Sequence, residues 1–134
     1  MTKRVIMAGL FLIGIIMTGC SSNSTASLAP FEPEIVNNAD DFQFQATDIT
    51  NVSTQVTYDW PNSGTQATLD HSSAITGGSA SIMLYDHNDS LVYSNGLVAS
   101  LNEASSVGTP GTWRLVVTLV DCSGTLNFRA QALN

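Results

Sequence analysis

The most informative pattern in this chain is the alternation of apolar and polar residues, which runs through most of the sequence after residue 40. In a β-strand every second side chain lies on the same face, so this alternation predicts half-buried strands. Glycine, proline and asparagine cluster between the alternating runs, where turns are expected. The predicted strands cover residues 42–46, 52–60, 67–69, 80–84, 91–93, 97–101, 112–120 and 126–132.

The run at residues 112–120 differs from the others because both of its faces are apolar. Leu115 and Val117 lie on one face, and Val116 and Val120 lie on the other. A strand that is apolar on both faces is typical of the centre of a sheet, covered on both sides. No window of useful length shows apolar residues at helical spacing. The pattern therefore predicts an all-β fold, an antiparallel jelly-roll-like β-sandwich of about seven or eight strands.

The first twenty residues have a different pattern, that of a targeting segment. Lys3 and Arg4 precede an uncharged apolar run at residues 5–17. This run is shorter than the roughly 20 apolar residues that a membrane-spanning helix needs, and it has the length of a signal-peptide core. Small residues then lead to Cys20. An ordinary secretory signal and an uncleaved anchor that happens to end near a cysteine are the alternatives at this point.

The sequence Met17-Thr18-Gly19-Cys20 resembles the lipobox of bacterial lipoproteins, with methionine where leucine is usual. The resemblance implies cleavage between Gly19 and Cys20 and attachment of a diacylglyceryl group, with fatty acids such as palmitate, to Cys20. Each buried acyl CH₂ contributes about 0.8 kcal/mol, and stable anchoring needs more than one chain. By resemblance to the sorting rule of enteric bacteria, Ser21 implies the outer rather than the inner membrane of a diderm cell envelope.

The predicted organisation has three parts. Residues 1–19 form the signal peptide, residues 20–38 form the lipidated cysteine with a flexible tether, and residues 39–134 form the β-sandwich domain. The tether is rich in serine and threonine and contains two prolines. A flexible chain of this length has a root-mean-square reach of roughly 25 Å. Three apolar side chains would dock its end onto the domain: Phe31, Ile35 and Val36.

Cleavage before Cys20 would leave 115 of the 134 residues, with Arg114 and Arg129 as the basic residues against eleven acidic ones. The resulting net charge of −9 argues against nucleic acid as a partner, because phosphate contacts from Lys and Arg supply most of that affinity. It also argues against electrostatic docking to anionic lipid headgroups.

The chain has two cysteines, Cys20 and Cys122. If Cys20 carries lipid, Cys122 has no partner in the chain and is either a buried thiol or an intermolecular contact. A buried thiol is favoured because Cys122 ends an apolar strand. If Cys20 is not lipidated, a disulfide between Cys20 and Cys122 is the competing prediction.

Three aromatic residues, Tyr58, Trp60 and Trp113, are candidates for a ligand-binding face, since exposed rings stack on sugars in carbohydrate-binding modules. The alternative is a core position, which is favoured for Trp60 and Trp113 because each belongs to an inward-facing series. An acidic loop offers a second candidate site. Asp86, Asn88 and Asp89 bring oxygen ligands together as calcium requires, although the same residue types also form hairpin turns.

The remaining polar residues do not form a recognisable catalytic or zinc motif. His71 and His87 are far apart, without zinc-ligand spacing, and are expected at a strand end and a loop tip. Ser72 follows His71, but no G-x-S-x-G sequence is present. The sequence therefore predicts a protein that is not an enzyme and has no required cofactor.

The C-terminal third resembles the closing hairpin of pre-peptidase C-terminal and P-domain β-sandwiches. The resemblance covers roughly residues 79–132 and depends on Gly108-Thr109-Pro110-Gly111-Thr112-Trp113 and on Ser123-Gly124-Thr125-Leu126. It implies a sandwich, and some such domains bind calcium. The chain as a whole also resembles small bacterial lipoproteins with a sandwich domain and no attached enzyme.

Together these features predict a non-catalytic lipoprotein of the cell envelope, with an interaction or structural role. Its expected partners are the membrane, through the lipid, and an envelope protein or polysaccharide. A carbohydrate-binding module and a calcium-binding accessory domain of the secreted-protease type are the alternatives.

Overall fold

The computed structural model describes residues 25–134, and within them it contains seven β-strands and one 3₁₀ turn. The turn is Ala29–Phe31, and the strands are β1 Glu34–Asn38, β2 Asp41–Asn62, β3 Gln66–His71, β4 Ala74–Tyr85, β5 Leu91–Gly96, β6 Leu101–Ala104 and β7 Gly111–Leu133. All strand pairs are antiparallel.

Two long strands, β2 and β7, form the frame of the domain. They pair along their whole length, from Asp41 opposite Gln131 to Asn62 opposite Gly111. Their register shifts three times between Ala46 and Thr54. Such bulges add twist and bend the strands, so the β2–β7 ribbon folds back on itself. We call this region the bend: residues 46–54 of β2, 119–126 of β7 and 75–79 of β4.

Folding of this ribbon produces the two layers of a sandwich. In one layer the order is β1, the first half of β2, the second half of β7, β3 and β6. In the other, the second half of β2 is followed by the first half of β7, β4 and β5. The predicted all-β antiparallel sandwich is confirmed. The predicted central position of residues 112–120 is also confirmed, because β7 has a neighbour on each side in both layers. The predicted cover on both faces is wrong at Val120, whose side chain is 52% exposed.

Aromatic side chains fill much of the space between the layers. Phe44 stacks on Phe128, with ring centroids 5.3 Å apart, and Phe42 lies 6.0 Å from Phe128. Trp60 and Trp113 meet edge to face at 6.1 Å. Offset and edge-to-face arrangements of this kind are the preferred geometries of aromatic pairs. These five phenylalanine and tryptophan side chains of β2 and β7 therefore pack between the two layers and stabilise the folded ribbon.

The structure corrects the predicted number of strands along β2 and β7. Residues 42–46 and 52–60 belong to one strand, and so do residues 112–120 and 126–132. Gly124, predicted to turn the chain, lies in a bulge with φ of +125°. A Cβ at this position would lie 2.1 Å from the carbonyl oxygen of Ala74. The glycine therefore allows β4 to approach β7 and does not reverse the chain.

The predicted tether is wrong for residues 25–38, which belong to the folded domain. The amide of Thr25 donates to the carbonyl of Asn51 at 2.7 Å, and Leu28 is buried. Phe31 packs against the core as predicted, whereas Ile35 and Val36 are 38% and 41% exposed. Backbone pairing with β2 holds this segment, and such pairing needs no apolar pattern in the sequence. The described domain therefore includes residues 25–38, which the prediction had placed in the tether.

Candidate functional site

The residues predicted to carry the lipid, Gly19 and Cys20, lie outside the described residues, as does the predicted signal peptide. The described chain starts at Thr25, so residues 21–24 separate Cys20 from the first described residue. No helix in residues 25–134 is long and apolar enough to cross a membrane. Lipidation of Cys20 therefore stays a prediction from the sequence.

Trp60 and Trp113 do not form a ligand-binding surface, which corrects the prediction of a three-ring sugar site. Both side chains are fully buried. The indole N–H of Trp60 donates to the carbonyl of Asn38 at 3.1 Å, and that of Trp113 donates to the carbonyl of Thr109 at 2.8 Å. Each ring thus has its polar atom satisfied inside the fold, as buried tryptophans usually do. The alternative of a core position is confirmed for both residues.

Tyr58, the third predicted ring, is half-buried and packs on the core. Its ring centroid lies 5.3 Å from that of Phe42 and 6.1 Å from that of Phe44. Burial raises the pKa of the Tyr58 hydroxyl. The Tyr58 ring therefore packs on aromatic neighbours. Because Trp60 and Trp113 are buried, they cannot form a sugar-binding surface together with Tyr58.

Sequence reasoning did not single out Tyr85, an aromatic ring on the outer face of the second layer. The guanidinium carbon of Arg114 lies 4.1 Å from the centroid of the Tyr85 ring, a cation–π contact. Arg114 also forms an ion pair with Asp89, and this hydrogen bond raises the pKa of the guanidinium. The arginine covers one face of Tyr85, so that face is not open for stacking on a ligand. Tyr85 could have been noticed from its outward position in the alternation around Leu84.

The predicted calcium loop is held by hydrogen bonds within the protein. The carboxylate of Asp86 accepts three backbone N–H groups, those of Asn88 at 3.0 Å, Ser90 at 2.9 Å and Thr109 at 2.9 Å. These donors hold the pKa of Asp86 below its usual value, with the amide of Ser90 the largest cause. Asp86 joins the β4–β5 loop to the segment before β7.

The other two predicted calcium ligands also have partners. Asp89 pairs with Arg114, and the side-chain amide of Asn88 donates to the Thr109 hydroxyl at 3.1 Å. Within residues 25–134, no group of three or more His, Cys, Asp or Glu side chains could hold a metal ion. Calcium binding at Asp86, Asn88 and Asp89 stays a prediction, and an ion there would have to displace these bonds.

A buried polar chain connects the two layers near the end of β3. The Nε2 atom of His71 lies 2.9 Å from the hydroxyl oxygen of Tyr93, and that hydroxyl donates to Oε1 of Glu103 at 3.1 Å. Because the hydroxyl hydrogen is directed to the carboxylate, Nε2 of His71 carries a hydrogen and is the donor to Tyr93. Asn95 also donates to Oε1 of Glu103, at 2.7 Å.

Burial determines the protonation of this chain. His71 is 1% exposed, and its Nδ1 atom is buried without a hydrogen-bond partner among the described residues. Desolvation lowers the pKa of His71, although Glu103 and Asp70 oppose that effect. Desolvation also raises the pKa of Tyr93 to about 12. His71 therefore favours the neutral form. Its position in the inward series Ala67, Leu69, His71 was the sequence signal for burial.

A groove opens at the end of the sandwich opposite the bend, which we call the far end. The first and last residues of β2 and of β7 lie there. The groove has a volume of about 410 Å³. Its lining residues are Ala39, Asp40, Pro61, Asn62, Ser63, His87, Gly111 and Thr112. His87 lies at an exposed loop position, as predicted. Asp40 accepts from the Ser63 amide at 2.6 Å and from the Ser63 hydroxyl at 2.7 Å, which lowers the pKa of Asp40.

Cys122 lies in the bend, opposite Val52 of β2, and its side chain is fully buried. It forms no disulfide with any described residue. Burial raises the pKa of the thiol, which keeps it protonated and unreactive. Of the predicted alternatives, the structure supports the buried thiol.

Comparison with known proteins gives no family for this chain. No family model matches it, and no curated protein matches it. Among solved structures, the chain is similar to a chain in the structure of infectious bursal disease virus, Gt strain, with 10% identity and a TM-score of 0.29. The match covers 91% of this chain and 34% of the viral chain, so this chain spans about a third of its length. A likeness at this TM-score carries no argument about fold or function.

Proposed function

We propose that this protein is a lipid-anchored component of a bacterial cell envelope, in which the β-sandwich is a non-catalytic interaction or structural module. One observation carries the proposal: the sequence Met17-Thr18-Gly19-Cys20 follows an uncharged apolar run at residues 5–17. That combination is the pattern of a lipoprotein signal. Ser21 favours the outer membrane as the location if the bacterium is diderm.

The distance between Cys20 and the domain gives this proposal a geometric consequence. Consecutive Cα atoms of an extended chain advance by at most about 3.6 Å, so the five steps from Cys20 to Thr25 reach at most about 18 Å. Thr25 is bonded to Asn51 in the bend. A lipid on Cys20 would therefore keep Thr25, and the part of the bend bonded to it, within about 18 Å of the lipidated cysteine.

The environments of the candidate acid–base groups support a non-catalytic role. His71 is buried and bonded to Tyr93, so a substrate cannot reach its ring without opening the fold. Asp86 accepts three backbone N–H groups that hold two loops together. These residues stabilise the domain, and their pKa shifts have structural causes. The net charge of −9 favours a partner other than nucleic acid, namely an envelope protein or a polysaccharide.

Cell fractionation tests the proposal. We expect the protein produced from its full sequence to be found with the membranes and to be released by detergent but not by high salt, because acyl chains and not charges hold it. The Cys20→Ser variant is the matched control and should appear in the soluble fraction or keep its signal peptide uncleaved. Equal membrane association of both proteins without cleavage would indicate an uncleaved anchor and contradict the proposal.

A further inference from the structure

Among the described residues, β1 lies at the edge of its layer, and the carbonyl of its last residue, Asn38, accepts from the Trp60 indole. The strand ends the first layer and pairs with β2 through five residues without any register shift. No other strand pairs with it within residues 25–134. All five of its residues are exposed. A regular edge strand presents free N–H and C=O groups to which an extended chain can add.

The other open edges of the sandwich are shorter or partly covered. Along the second half of β2, Thr25 bonds to Asn51 and Ser53, and the side chain of Asn37 donates to the carbonyl of Asp59 at 2.9 Å. On β5 the amide of Ser106 donates to the carbonyl of Val92, and β6 has only four residues. Edges are usually protected in such ways or by lysine, proline and bulges. β1 contains no lysine, proline or bulge.

Two recesses follow β1 on the outer face of its layer. One, of about 250 Å³, is lined by Glu32, Glu34, Gln45 and Thr47. The other, of about 90 Å³, is lined by Glu34, Val36, Gln43, Phe44, Gln45 and Asn127. The residues contributed by β1 and the segment before it are Glu32, Glu34 and Val36, at a spacing of two. This spacing matches the alternate side chains of a strand that pairs with β1.

Glu32 and Glu34 give this edge a negative charge. No lysine, arginine or histidine lines either recess. Arg129, the basic residue of this layer, lies on β7 and is bonded to Asp41 at 3.1 Å. A second copy of the chain would bring another net charge of −9 to the same edge, and like charges oppose such pairing. A partner segment with positive side chains is therefore favoured over self-association.

We infer that β1 binds an extended segment of a partner protein in which lysine or arginine alternates with apolar residues. The segment pairs with the backbone of β1, its basic side chains lie against Glu32 and Glu34, and its apolar side chains lie against Ile35 on the opposite face. This is strand addition to a sheet edge, in which backbone bonds give affinity and alternate side chains give specificity. The inference deepens the proposed function by naming the class of partner, but it does not depend on the lipid for its test.

Peptide titration followed by NMR tests the inference. The probe is the blocked heptapeptide Thr-Lys-Val-Lys-Val-Lys-Thr, added to the purified ¹⁵N-labelled mature protein, and the control peptide has glutamate in place of lysine. We expect the lysine peptide to shift the amides of residues 34–38 first, and the glutamate peptide to shift none. Glu32→Gln with Glu34→Gln should weaken binding by about fivefold, since two exposed ion pairs are lost.

The matched control is Asp70→Asn with Asp89→Asn, which removes the same charge at exposed positions outside both recesses. We expect it to weaken binding by less than about twofold. A second variant, Val36→Lys, places a positive charge on the edge and should abolish binding of the lysine peptide. Equal weakening by both double variants would overturn the inference, as would shifts centred outside β1 or a dimer of the protein formed through β1. Fractionation results for Cys20→Ser do not affect any of these outcomes.

Discussion

The bend and the far end of the sandwich both involve β2 and β7, yet different chemistry holds each. In the bend, hydroxyl groups and glycines dominate: Ser123 accepts from the amide of Asn51 at 2.9 Å, and Ser53 accepts from the amide of Asp121 at 2.8 Å. At the far end, the carboxylates of Asp40 and Asp86 accept the backbone N–H groups. Neutral hydroxyls therefore accept these backbone N–H groups in the bend, whereas ionised carboxylates accept them at the far end.

The difference follows from what each region must do. Three strands change register together in the bend, so their backbones come too close for a Cβ at Gly78 or Gly124. The far end instead joins loops whose amides have no strand partner. A carboxylate accepts several such amides at once, and bonds to a charged acceptor are stronger than neutral ones. The two regions should respond differently to substitution and to pH.

The largest expected effect is that of Gly78→Ala in the bend. Gly78 has φ of +65°, and a Cβ there would lie 2.1 Å from the carbonyl oxygen of Asp121. We expect the melting temperature to fall by about 10 °C or more, because strain and a backbone clash add. Gly77→Ala is the matched control, since its Cβ would lie 3.7 Å from Ser123. A similar fall for both variants in thermal unfolding would show that close fit does not define the bend.

A smaller effect is expected for Asp86→Asn at the far end. The amide side chain has one acceptor oxygen and cannot accept all three backbone N–H groups. We expect the melting temperature to fall by about 5 °C. Asp89→Asn removes only an exposed ion pair with Arg114 and should lower it by about 2 °C or less. The opposite order of the two variants would contradict the structural role of Asp86.

The pH dependence of stability separates His71 from the carboxylates. Because the native pKa of His71 lies below 6.5, the unfolded chain takes up a proton first as pH falls, and the free energy of unfolding decreases. This slope is at most about 1.4 kcal/mol per pH unit. The contributions of Asp40 and Asp86 are lost only at lower pH, as it falls through native pKa values below 3.8.

Denaturant unfolding at several pH values between about 5 and 6.5 gives the free energy of unfolding at each pH, and hence the slope. His71→Gln should remove the part of the slope that begins at pH 6.5, and His87→Gln, at an exposed position, is the control. An unchanged slope in His71→Gln would contradict the conclusion that His71 is neutral in the folded protein.

Thiol chemistry tests whether the bend is closed without altering its stability. Cys122 is fully buried, and burial raises its pKa, so a thiol reagent should reach it only when the structure opens. We expect labelling of Cys122 in the native Cys20→Ser protein to be at least about a hundredfold slower than in denaturant. Equal rates would show that the bend is open in solution.

Much of the fold could be predicted from the sequence, because alternation reports directly which face of a strand is buried. The sandwich, the central strand β7 and the core positions of Trp60 and Trp113 followed from it. The continuity of β2 and β7 did not. Aspartate, asparagine and glycine adopt positive φ both in turns and in bulges, so the sequence does not distinguish the bulges at Asp48, Asn51 and Gly124 from turns.

The candidate sites were harder to predict than the fold. Backbone hydrogen bonds to β2 hold β1 in place, and such bonds require no apolar pattern in the sequence. The segment was therefore predicted to be a flexible tether. From the sequence alone, the carboxylate of Asp86 could bind calcium or stabilise a turn. The structure shows that it accepts hydrogen bonds from three backbone amides. Tyr85 went unnoticed because its importance depends on Arg114, which is adjacent only across the sheet.

Mass spectrometry of the mature N-terminus shows whether Cys20 carries the predicted lipid. We expect the N-terminal peptide to begin at Cys20 and to carry the mass of a diacylglyceryl group on its sulfur, with the thiol of Cys122 free. A peptide that begins elsewhere, an unmodified Cys20, or a disulfide between Cys20 and Cys122 would contradict the account of a lipid-anchored module.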